Sequence, residues 1–369
     1  MATNNKQRFS YDETGTKIRA NQGHSIDVDL GLVAVAPPPT LFHGTATRSV
    51  ASILQYRTLR PSSTANHVSM KWGIDLGGTK IEGVILDEGG KVVERRRIAT
   101  EREQGYGHIV NRIVLLVEQM KDATGLRPDH LGVGTPGTID PPTGLMKNSN
   151  TVVLNGQPLG KDLEAALGVP LTLANDANCF AVAETLLGCV PEKAPAAGVV
   201  FGVILGTGTG GGLVVDGKII GGAQGIGGEW GHMFLDQSAG YCYCGRVGCA
   251  EQILSGPAIE RYYANLSGTV RTVREIVPRY RAGNDPAAIR AMERWFHFFA
   301  KGISTIINVI DPDVIVLGGG LGNIDELYTK AVPQVVNHLF NPRMDTVFLR
   351  PKLGDSAGVF GAALLTPRT

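Results

Sequence analysis

The fold of this chain is decided by one stretch, Lys71-Trp72-Gly73-Ile74-Asp75-Leu76-Gly77-Gly78-Thr79-Lys80-Ile81-Glu82-Gly83-Val84-Ile85-Leu86-Asp87. Apolar residues flank a Gly-Gly turn, a pattern that predicts a strand, a tight turn and a returning strand. Because Gly77 and Gly78 lack side chains, their backbone N–H groups can approach a polyphosphate closely. Asp75 could face a magnesium ion or its water shell, and Thr79 adds a hydroxyl donor. An ordinary hairpin explains the glycines, but not their combination with aspartate, threonine and lysine.

A second stretch repeats the pattern: Val199-Val200-Phe201-Gly202-Val203-Ile204-Leu205-Gly206-Thr207-Gly208-Thr209-Gly210-Gly211-Gly212-Leu213-Val214-Val215-Asp216-Gly217. An apolar strand again runs into a turn, here Gly206, Thr207 and Gly208, and returns as an apolar strand. Two such units about 130 residues apart suggest a duplicated domain with both turns facing one cleft. Neither contains the Walker sequence or opens directly into a helix, which argues against a P-loop enzyme or a dehydrogenase.

Three cysteines and a histidine form the other informative group. His232 ends Glu229-Trp230-Gly231-His232, and Cys242, Cys244 and Cys249 follow within eight residues. Three thiolates and one imidazole make the closed, four-coordinate set of a structural zinc site. The Cys-x-Cys spacing is only moderately specific, and buried apolar cysteines near a core histidine are the alternative. Since three of the five cysteines crowd together with glycines between them, we predict bound Zn²⁺.

The composition is that of a globular protein, with 43% hydrophobic and 19% charged residues. A length of 369 residues exceeds one ordinary core and predicts two or three domains. The net charge of +1 gives no general electrostatic reason to bind nucleic acid or an anionic membrane. No apolar run reaches the roughly 18 residues that a membrane span needs. Few cysteines and a polar start without a signal core fit the cytoplasm, so we expect a cytoplasmic protein without DNA or membrane partners.

Three motifs together resemble the ROK family (repressors, open reading frames and sugar kinases): Asp75-Leu76-Gly77-Gly78-Thr79-Lys80, Glu229-Trp230-Gly231-His232, and the cysteine run over 242–251. The resemblance covers about residues 70–369, with the motifs in the right order. It implies an α/β, actin-like, two-lobed sugar-kinase (ribonuclease H-like) ATPase fold. It also implies ATP and Mg²⁺, a hexose substrate and a homodimer.

The same resemblance predicts how the chain is divided. Residues 70–177 would form a small lobe, joined by a C-terminal helix at about 356–369. Residues 178–355 would form a large lobe that carries the zinc cluster. The helix before the third glycine stretch has apolar residues near 3.6-residue spacing, which predicts core packing. These residues are Met292, Trp295, Phe296, Phe299, Ile303, Ile306, Ile307 and Ile310.

Asp176 is the candidate general base. A short apolar strand, Leu171 to Ala174, precedes Asn175 and Asp176 and then the small residues of a helix start. A carboxylate at a strand end lies where α/β sheets present ligands, although an aspartate there is also a common helix cap. The residues alone leave both roles open. In the family, the matching aspartate accepts the proton of the attacking sugar hydroxyl, and Asn175 would hold an adjacent hydroxyl.

The resemblance supplies the remaining site residues. His232 would use one ring nitrogen on zinc and turn the other towards the sugar. After the buried strand Val314 to Leu317, three glycines would admit the flat adenine ring, with a plain strand-to-helix turn as the alternative. The residues implied to contact the sugar are Gly137, Asn155, Asn175, Asp176, Glu229, His232 and Glu251. Those implied to contact ATP are Asp75, Gly77, Gly78, Thr79, Lys80, Gly206, Thr207, Gly208, Gly318, Gly319 and Gly320.

Residues 1–69 resemble a different family, the RNA 2'-phosphotransferases, which use NAD on an ADP-ribosyltransferase-like fold. The resemblance rests on Arg19-Ala20-Asn21-Gln22-Gly23-His24-Ser25 and His43-Gly44-Thr45. It is a fragment, because the family's upstream Arg-His pair and its downstream half are missing. We therefore expect an inactive remnant or a fusion of neighbouring genes, and no RNA partner; a wrongly chosen start codon would give the same sequence.

The substrate expected from the sequence is fructose, converted to fructose 6-phosphate, with mannose as a second sugar. Lys147-Asn148-Ser149-Asn150 and Leu154-Asn155-Gly156-Gln157-Pro158-Leu159 look most like the bacterial fructokinases. N-acetylglucosamine kinase and glucokinase stay open as alternatives. A sugar-responsive repressor of the same family would need a helix-turn-helix arm, which the proline-rich segment before Met70 does not supply.

Overall fold

The strands and helices below are those of a computed structural model that describes Ser10–Tyr11, Ile18–Arg19 and residues 70–365. The chain divides into two units, Met1–Ser63 and Thr64–Thr369, and the second carries the fold discussed here. In the first unit the described backbone is one antiparallel pair of two-residue strands. The side chain of Arg19 and the whole of His43, which begin the two motifs quoted for the second resemblance, lie outside the described residues.

In chain order the strands are β1 (Ser10–Tyr11), β2 (Ile18–Arg19), β3 (Lys71–Leu76), β4 (Lys80–Leu86), β5 (Val92–Ala99), β6 (Leu131–Thr135), β7 (Thr138–Ile139), β8 (Met146–Lys147), β9 (Leu171–Asn175), β10 (Val199–Leu205), β11 (Thr209–Val215), β12 (Lys218–Ile219), β13 (Val314–Gly318) and β14 (Val347–Leu349).

The α-helices are α1 (Tyr106–Thr124), α2 (Leu159–Leu167), α3 (Asp176–Leu186), α4 (Cys189–Lys193), α5 (Glu251–Leu254), α6 (Gly256–Ser267), α7 (Val273–Ala282), α8 (Pro286–Ile310) and α9 (Ala357–Ala363). Short 3-10 helices span Arg102–Gln104, Val152–Leu154, Trp230–His232, Gln237–Ala239, Gly320–Asn323, Val332–His338 and Gly354–Ser356, and a π-helical turn spans Leu327–Ala331. No helix in the described part of the chain is both long and apolar enough to cross a membrane.

Two mixed five-stranded sheets share one topology. The first has the order β5-β4-β3-β6-β9, and the second has the order β12-β11-β10-β13-β14. In each sheet three strands form an antiparallel meander, and two further strands run parallel to its first strand. Both glycine-rich turns join the first and second strands of a meander. The two sheets therefore have the same strand order, in agreement with the duplication that the two strand-turn-strand units predicted.

Each sheet has its own core. On the first, α1 buries Ile109, Ile113 and Leu116 at helical spacing, and the helix ends at Gly125 with a left-handed φ of 70°. On the second, α8 buries the residues at the predicted apolar positions, while Ile306 and Ile310 pack at its margin. The prediction that this apolar helix serves the core is confirmed.

The C-terminal helix α9 connects the two halves of residues 70–365, each of which is built on one of the five-stranded sheets. It packs on β3, β4 and β6 of the first sheet and on α3, which itself covers β10 and β11 of the second. At Gly361 the two helices touch, because a methyl group there would collide with the carbonyl oxygen of Cys179. The helix begins at Ala357 and ends at Ala363, shorter than the predicted span to the chain end, whose last residues lie outside the described ones. The lobe boundaries given above stay a proposal.

Candidate active site

The first glycine-rich turn is a tight hairpin end. β3 finishes at Leu76 and β4 begins at Lys80, and the Gly77 N–H donates to the Lys80 carbonyl oxygen at 2.9 Å. Thr79 is exposed, and Asp75 is half-buried one residue before the strand ends. The predicted strand-turn-strand is confirmed, with its glycines and its threonine at the open end of the sheet.

The second glycine-rich turn is hydrogen-bonded to the carboxylate of Glu251. The Gly206 N–H donates to the Gly208 carbonyl oxygen at 2.9 Å, which closes the turn between β10 and β11. The Thr209 N–H donates to Oε2 of Glu251 at 2.9 Å, across 42 residues of sequence. Glu251 begins α5, so that helix brings a predicted sugar ligand next to a predicted phosphate loop.

The third glycine stretch lies against the second turn. Gly319 has a φ of 79°, and a methyl group on it would collide with the Leu205 carbonyl oxygen, so this position requires glycine. Gly320 has open space around its Cβ position and begins a 3-10 turn. Gly318 is buried at the end of β13, where a side chain would meet the ring of Phe180. The structure therefore leaves room for a flat ring at Gly320 and none at Gly318.

Asn175, rather than Asp176, is the N-cap of α3. The Asn175 Oδ1 accepts from the Ala177 N–H at 2.8 Å, and the Asp176 Oδ1 shares the same donor at 2.8 Å. The Asp176 side chain remains open to solvent at the first helical position. Both side chains therefore accept at the start of the helix, with the asparagine at the N-cap position and the exposed aspartate at the first helical position.

Four carboxylates from separate segments, Asp75, Asp176, Glu229 and Glu251, lie close enough for their charges to interact. Asp176 is reachable by water but surrounded by protein on most sides, and this desolvation raises its pKa. Burial, and then the charge of Asp176, raises the pKa of Asp75 to about 6. Burial also raises the pKa of Glu229, opposed by His232 and reinforced by Asp176 and Glu251. Clustered carboxylates with raised pKa values are typical of functional sites.

The four predicted zinc ligands come together. The ligand atoms of His232, Cys242, Cys244 and Cys249 all lie within 4.8 Å of one another. Cys244 and Cys249 have their sulfurs 3.5 Å apart, and the His232 Nδ1 is 3.7 Å from the Cys242 sulfur. Metal–sulfur bonds of about 2.3 Å in a tetrahedron put neighbouring sulfurs about 3.8 Å apart, so this donor set fits Zn²⁺. The cluster is consistent with the predicted structural zinc.

The second nitrogen of His232 already has a partner that the sequence did not indicate. Nε2 lies 3.0 Å from the Tyr243 hydroxyl, and the two rings meet edge-on with centroids 5.2 Å apart. Burial, and then the charge of Glu251, raises the pKa of Tyr243 to about 12. Tyr243 is the middle residue of Cys-x-Cys, a position that the metal pattern leaves free, so only its contact with the imidazole reveals it. A sugar at Nε2 would share or replace this hydroxyl.

Gly137 and Asn155 brace a loop. The Asn155 side chain accepts from the Ser149 N–H at 2.8 Å and donates to the Ser149 carbonyl oxygen at 2.9 Å. A methyl group on Gly137 would lie 2.8 Å from the Lys147 carbonyl oxygen and from Cα of Ser149. Lys147 then donates to the Gln224 carbonyl oxygen at 2.8 Å. The structure brings these two predicted sugar residues together where the first half contacts the second.

Neither of two cavities in the described part of the chain is lined by Asp75, Asp176, Glu229 or Glu251. One of about 730 Å³ is lined by residues 194–197, 311–314, 339–341 and 343–347, among others. Another, of about 440 Å³, reaches Asn175 from the edges of β9 and β12.

Comparison with known proteins finds matches to two families. Residues 71–369 match the ROK family. Residues 1–98 match the RNA 2'-phosphotransferase, Tpt1 / KptA family, so that match reaches beyond the predicted boundary at residue 69 and overlaps the other over β3 to β5.

One relative, the N-acetyl-D-glucosamine kinase of Aliivibrio salmonicida, is 36% identical over 306 residues, covering 80% of this chain and 99% of its own. The structure of the ROK hexokinase of Thermus thermophilus is 32% identical, with a TM-score of 0.72, over 80% of this chain and 97% of that one. A ROK glucokinase of Streptomyces griseus, solved with glucose and AMPPNP, is 27% identical, with a TM-score of 0.64, over 80% and 98% of the two chains.

Proposed function

Because this chain belongs to the ROK family, as an ATP-dependent sugar kinase, we propose that it phosphorylates the primary hydroxyl of N-acetyl-D-glucosamine. The observation that carries this choice of sugar is the 36% identity to an N-acetyl-D-glucosamine kinase along 99% of that relative. The comparisons favour this alternative over fructose. The fructose expectation rested on residues 147–159, where Asn155 holds the Ser149 backbone. These two hydrogen bonds give Asn155 a structural role in the loop whichever sugar binds.

In the proposed reaction Asp176 takes the proton of the attacking hydroxyl. Its raised pKa makes it a stronger base than an ordinary aspartate. Mg²⁺ bound with ATP would neutralise phosphate charge near Asp75, whose own pKa is raised first by burial and then by the charge of Asp176. Closure of the two halves would exclude water from the transfer.

ATP would lie along the three glycine-rich segments. The N–H groups of Gly77 and Gly206 already close their own turns. The backbone N–H groups of Gly78, Thr207 and Gly208 would therefore contact the phosphates, with the Thr79 hydroxyl and the Lys80 ammonium beside them. The open space at Gly320 would receive the adenine. Because Gly319 packs against the end of β10, the second and third segments form one continuous surface for the nucleotide.

The far end of the sugar would meet Glu229, His232, Glu251 and Tyr243. Carboxylates accept hydrogen bonds from sugar hydroxyls, whereas the carbonyl oxygen of an acetamido group needs a donor. With Nδ1 of His232 on zinc, Nε2 would carry the ring proton and donate to the Tyr243 oxygen, which leaves the Tyr243 O–H as the donor on that side. The carboxylate charges that act on Tyr243 are those of Glu251 and Glu229. Carbon 2 of a pyranose lies across the ring from carbon 5, so a donor far from Asp176 suits the acetamido group.

A panel of sugars tests the choice of substrate. With ATP and Mg²⁺, kcat/KM for N-acetyl-D-glucosamine should exceed the values for fructose, mannose and glucose by at least about tenfold, a difference of about 1.4 kcal/mol. ADP release without sugar is the blank for each measurement. A higher kcat/KM for fructose would restore the expectation drawn from the loop sequence.

The front segment is expected to be dispensable for the kinase. All the proposed site residues lie within 70–365, and the ROK match begins at residue 71. A chain that starts at Met70 should keep kcat and KM within about twofold of the full chain. The full chain carrying Arg19→Ala is the matched control and should behave likewise. A tenfold loss in a well-folded truncation, or removal of an RNA 2'-phosphate by the full chain, would contradict the remnant hypothesis.

A further inference from the structure

Two side chains outside the family motifs converge on the first glycine-rich turn. A methyl group built on Gly78 would lie 3.2 Å from Nη1 of Arg102 and 3.5 Å from Oγ1 of Thr151. Arg102 comes from the 3-10 turn that follows β5, and Thr151 comes from the loop after β8. A guanidinium and a hydroxyl thus flank the turn whose glycines would admit a phosphate.

The Thr151 hydroxyl is buried without a partner. The residue is only 2% exposed, and Oγ1 makes no hydrogen bond. The backbone of Thr151 is held in place, because its N–H donates to Oγ of Ser149 at 3.1 Å. Buried hydroxyls are nearly always hydrogen-bonded, so an orphan beside a phosphate loop indicates a ligand oxygen that completes it.

Arg102 is equally unengaged. Within residues 70–365 its guanidinium has no carboxylate partner and no hydrogen bond, and it is exposed. The residue before it, Glu101, has a left-handed φ of 53°, a conformation that is costly outside glycine and is often found at functional sites. The Glu101 carboxylate is fixed by Nε2 of His108 at 2.7 Å and by Arg112 at 3.7 Å. An anchored, strained turn therefore presents a free guanidinium beside Gly78.

We propose that Arg102 and Thr151 bind the γ-phosphoryl group of ATP at the Gly77-Gly78 turn. This inference rests on the proposed kinase function. The sugar hydroxyl oxygen forms a bond to the γ-phosphorus as the bond to the bridging oxygen breaks, ADP leaves with the electron pair, and the hydroxyl proton passes to Asp176. Negative charge spreads over the three remaining oxygens of the phosphoryl group. A guanidinium donates in parallel to two such oxygens, and the Thr151 hydroxyl donates to a third.

The test compares nucleotides as well as rates. Arg102→Ala should lower kcat by on the order of 10²–10³-fold, and Thr151→Val, which keeps the shape but lacks the hydroxyl, by about tenfold. By calorimetry without sugar, Arg102→Ala should weaken AMPPNP binding at least about tenfold while ADP binding changes less than about twofold. Arg102→Lys should recover only part of the loss, because it keeps the charge without the fork. Arg290→Ala, on the exposed face of α8, is the control.

Equal AMPPNP and ADP binding by parent and Arg102→Ala would overturn the proposal, and so would an equal loss for both nucleotides. The calorimetry needs no sugar, so it stands even if the preferred sugar is not N-acetyl-D-glucosamine. Equal melting temperatures for all variants would exclude a folding defect. A folded Thr151→Val variant with the same kcat as the parent would by itself contradict the proposal.

Discussion

Asp176→Asn is expected to lower kcat by about 10²–10⁴-fold while sugar affinity changes only a few-fold. The substitution removes the proton acceptor but keeps the oxygen that accepts from the Ala177 N–H, so α3 should begin as before. In the proposed arrangement Asp75 interacts with the magnesium ion and Glu229 with the far end of the sugar, so neither should replace the lost base. Steady-state ADP release and sugar binding by calorimetry measure the two effects separately.

The pH profile offers a second measure of the same group. The raised pKa values of Asp176 and Asp75 mean that both carboxylates take up protons at a higher pH than an ordinary aspartate. In the parent, kcat/KM should therefore fall on the acid side well above pH 4. Asp122→Asn, on the exposed face of α1, is the matched control and should leave rate and profile unchanged. Turnover by Asp176→Asn equal to that of the parent would remove Asp176 as the base.

Substitution of a zinc ligand should strongly reduce both the bound zinc and the stability of the fold. Cys249→Ser is expected to reduce bound zinc from about one per chain to near zero and to lower the melting temperature sharply or prevent folding. Cys249 is buried, and its backbone pairs with Phe234 across the cluster. Bound zinc would supply cross-links between the segments that carry Glu229, His232 and Glu251, so sugar binding should fail with it. Metal analysis and thermal unfolding measure the change.

The chain offers a matched control for this experiment. Cys189 is also buried but lies in α4, away from the cluster, and Cys189→Ser should keep its zinc whatever its effect on stability. Fully folded and active parent protein that contains no zinc would refute the metal assignment. Zinc retained by Cys249→Ser would refute the assignment of that ligand.

Local patterns in the sequence predicted the elements that depend on neighbouring residues. Both strand-turn-strand units, the strand before Asn175 and the apolar face of α8 follow from glycine turns and hydrophobic spacing. The zinc ligands were also predictable, because three of the four lie within eight residues. In these cases the deciding contacts are close in sequence, so the pattern of residues carries most of the information.

Contacts between distant segments could not be predicted in this way. Glu251 meets the second turn across 42 residues, and Tyr243 reaches the free nitrogen of His232 from a position that the metal pattern does not constrain. Arg102 and Thr151 belong to no motif and meet only when the first half folds around Gly78. The preferred sugar could not be predicted for the same reason. It depends on how side chains from several loops come together, and the sequence of one loop does not show this.

The most direct test of the account is the identity of the product. Parent protein incubated with ATP, Mg²⁺ and N-acetyl-D-glucosamine should yield ADP and one sugar phosphate in equal amounts, with phosphorus coupled to the carbon-6 protons by NMR. Asp176→Asn, under the same conditions, should yield neither product at a comparable rate. A phosphate on any other oxygen, or ADP formed without sugar phosphate, would contradict the central claim that Asp176 directs transfer to the primary hydroxyl.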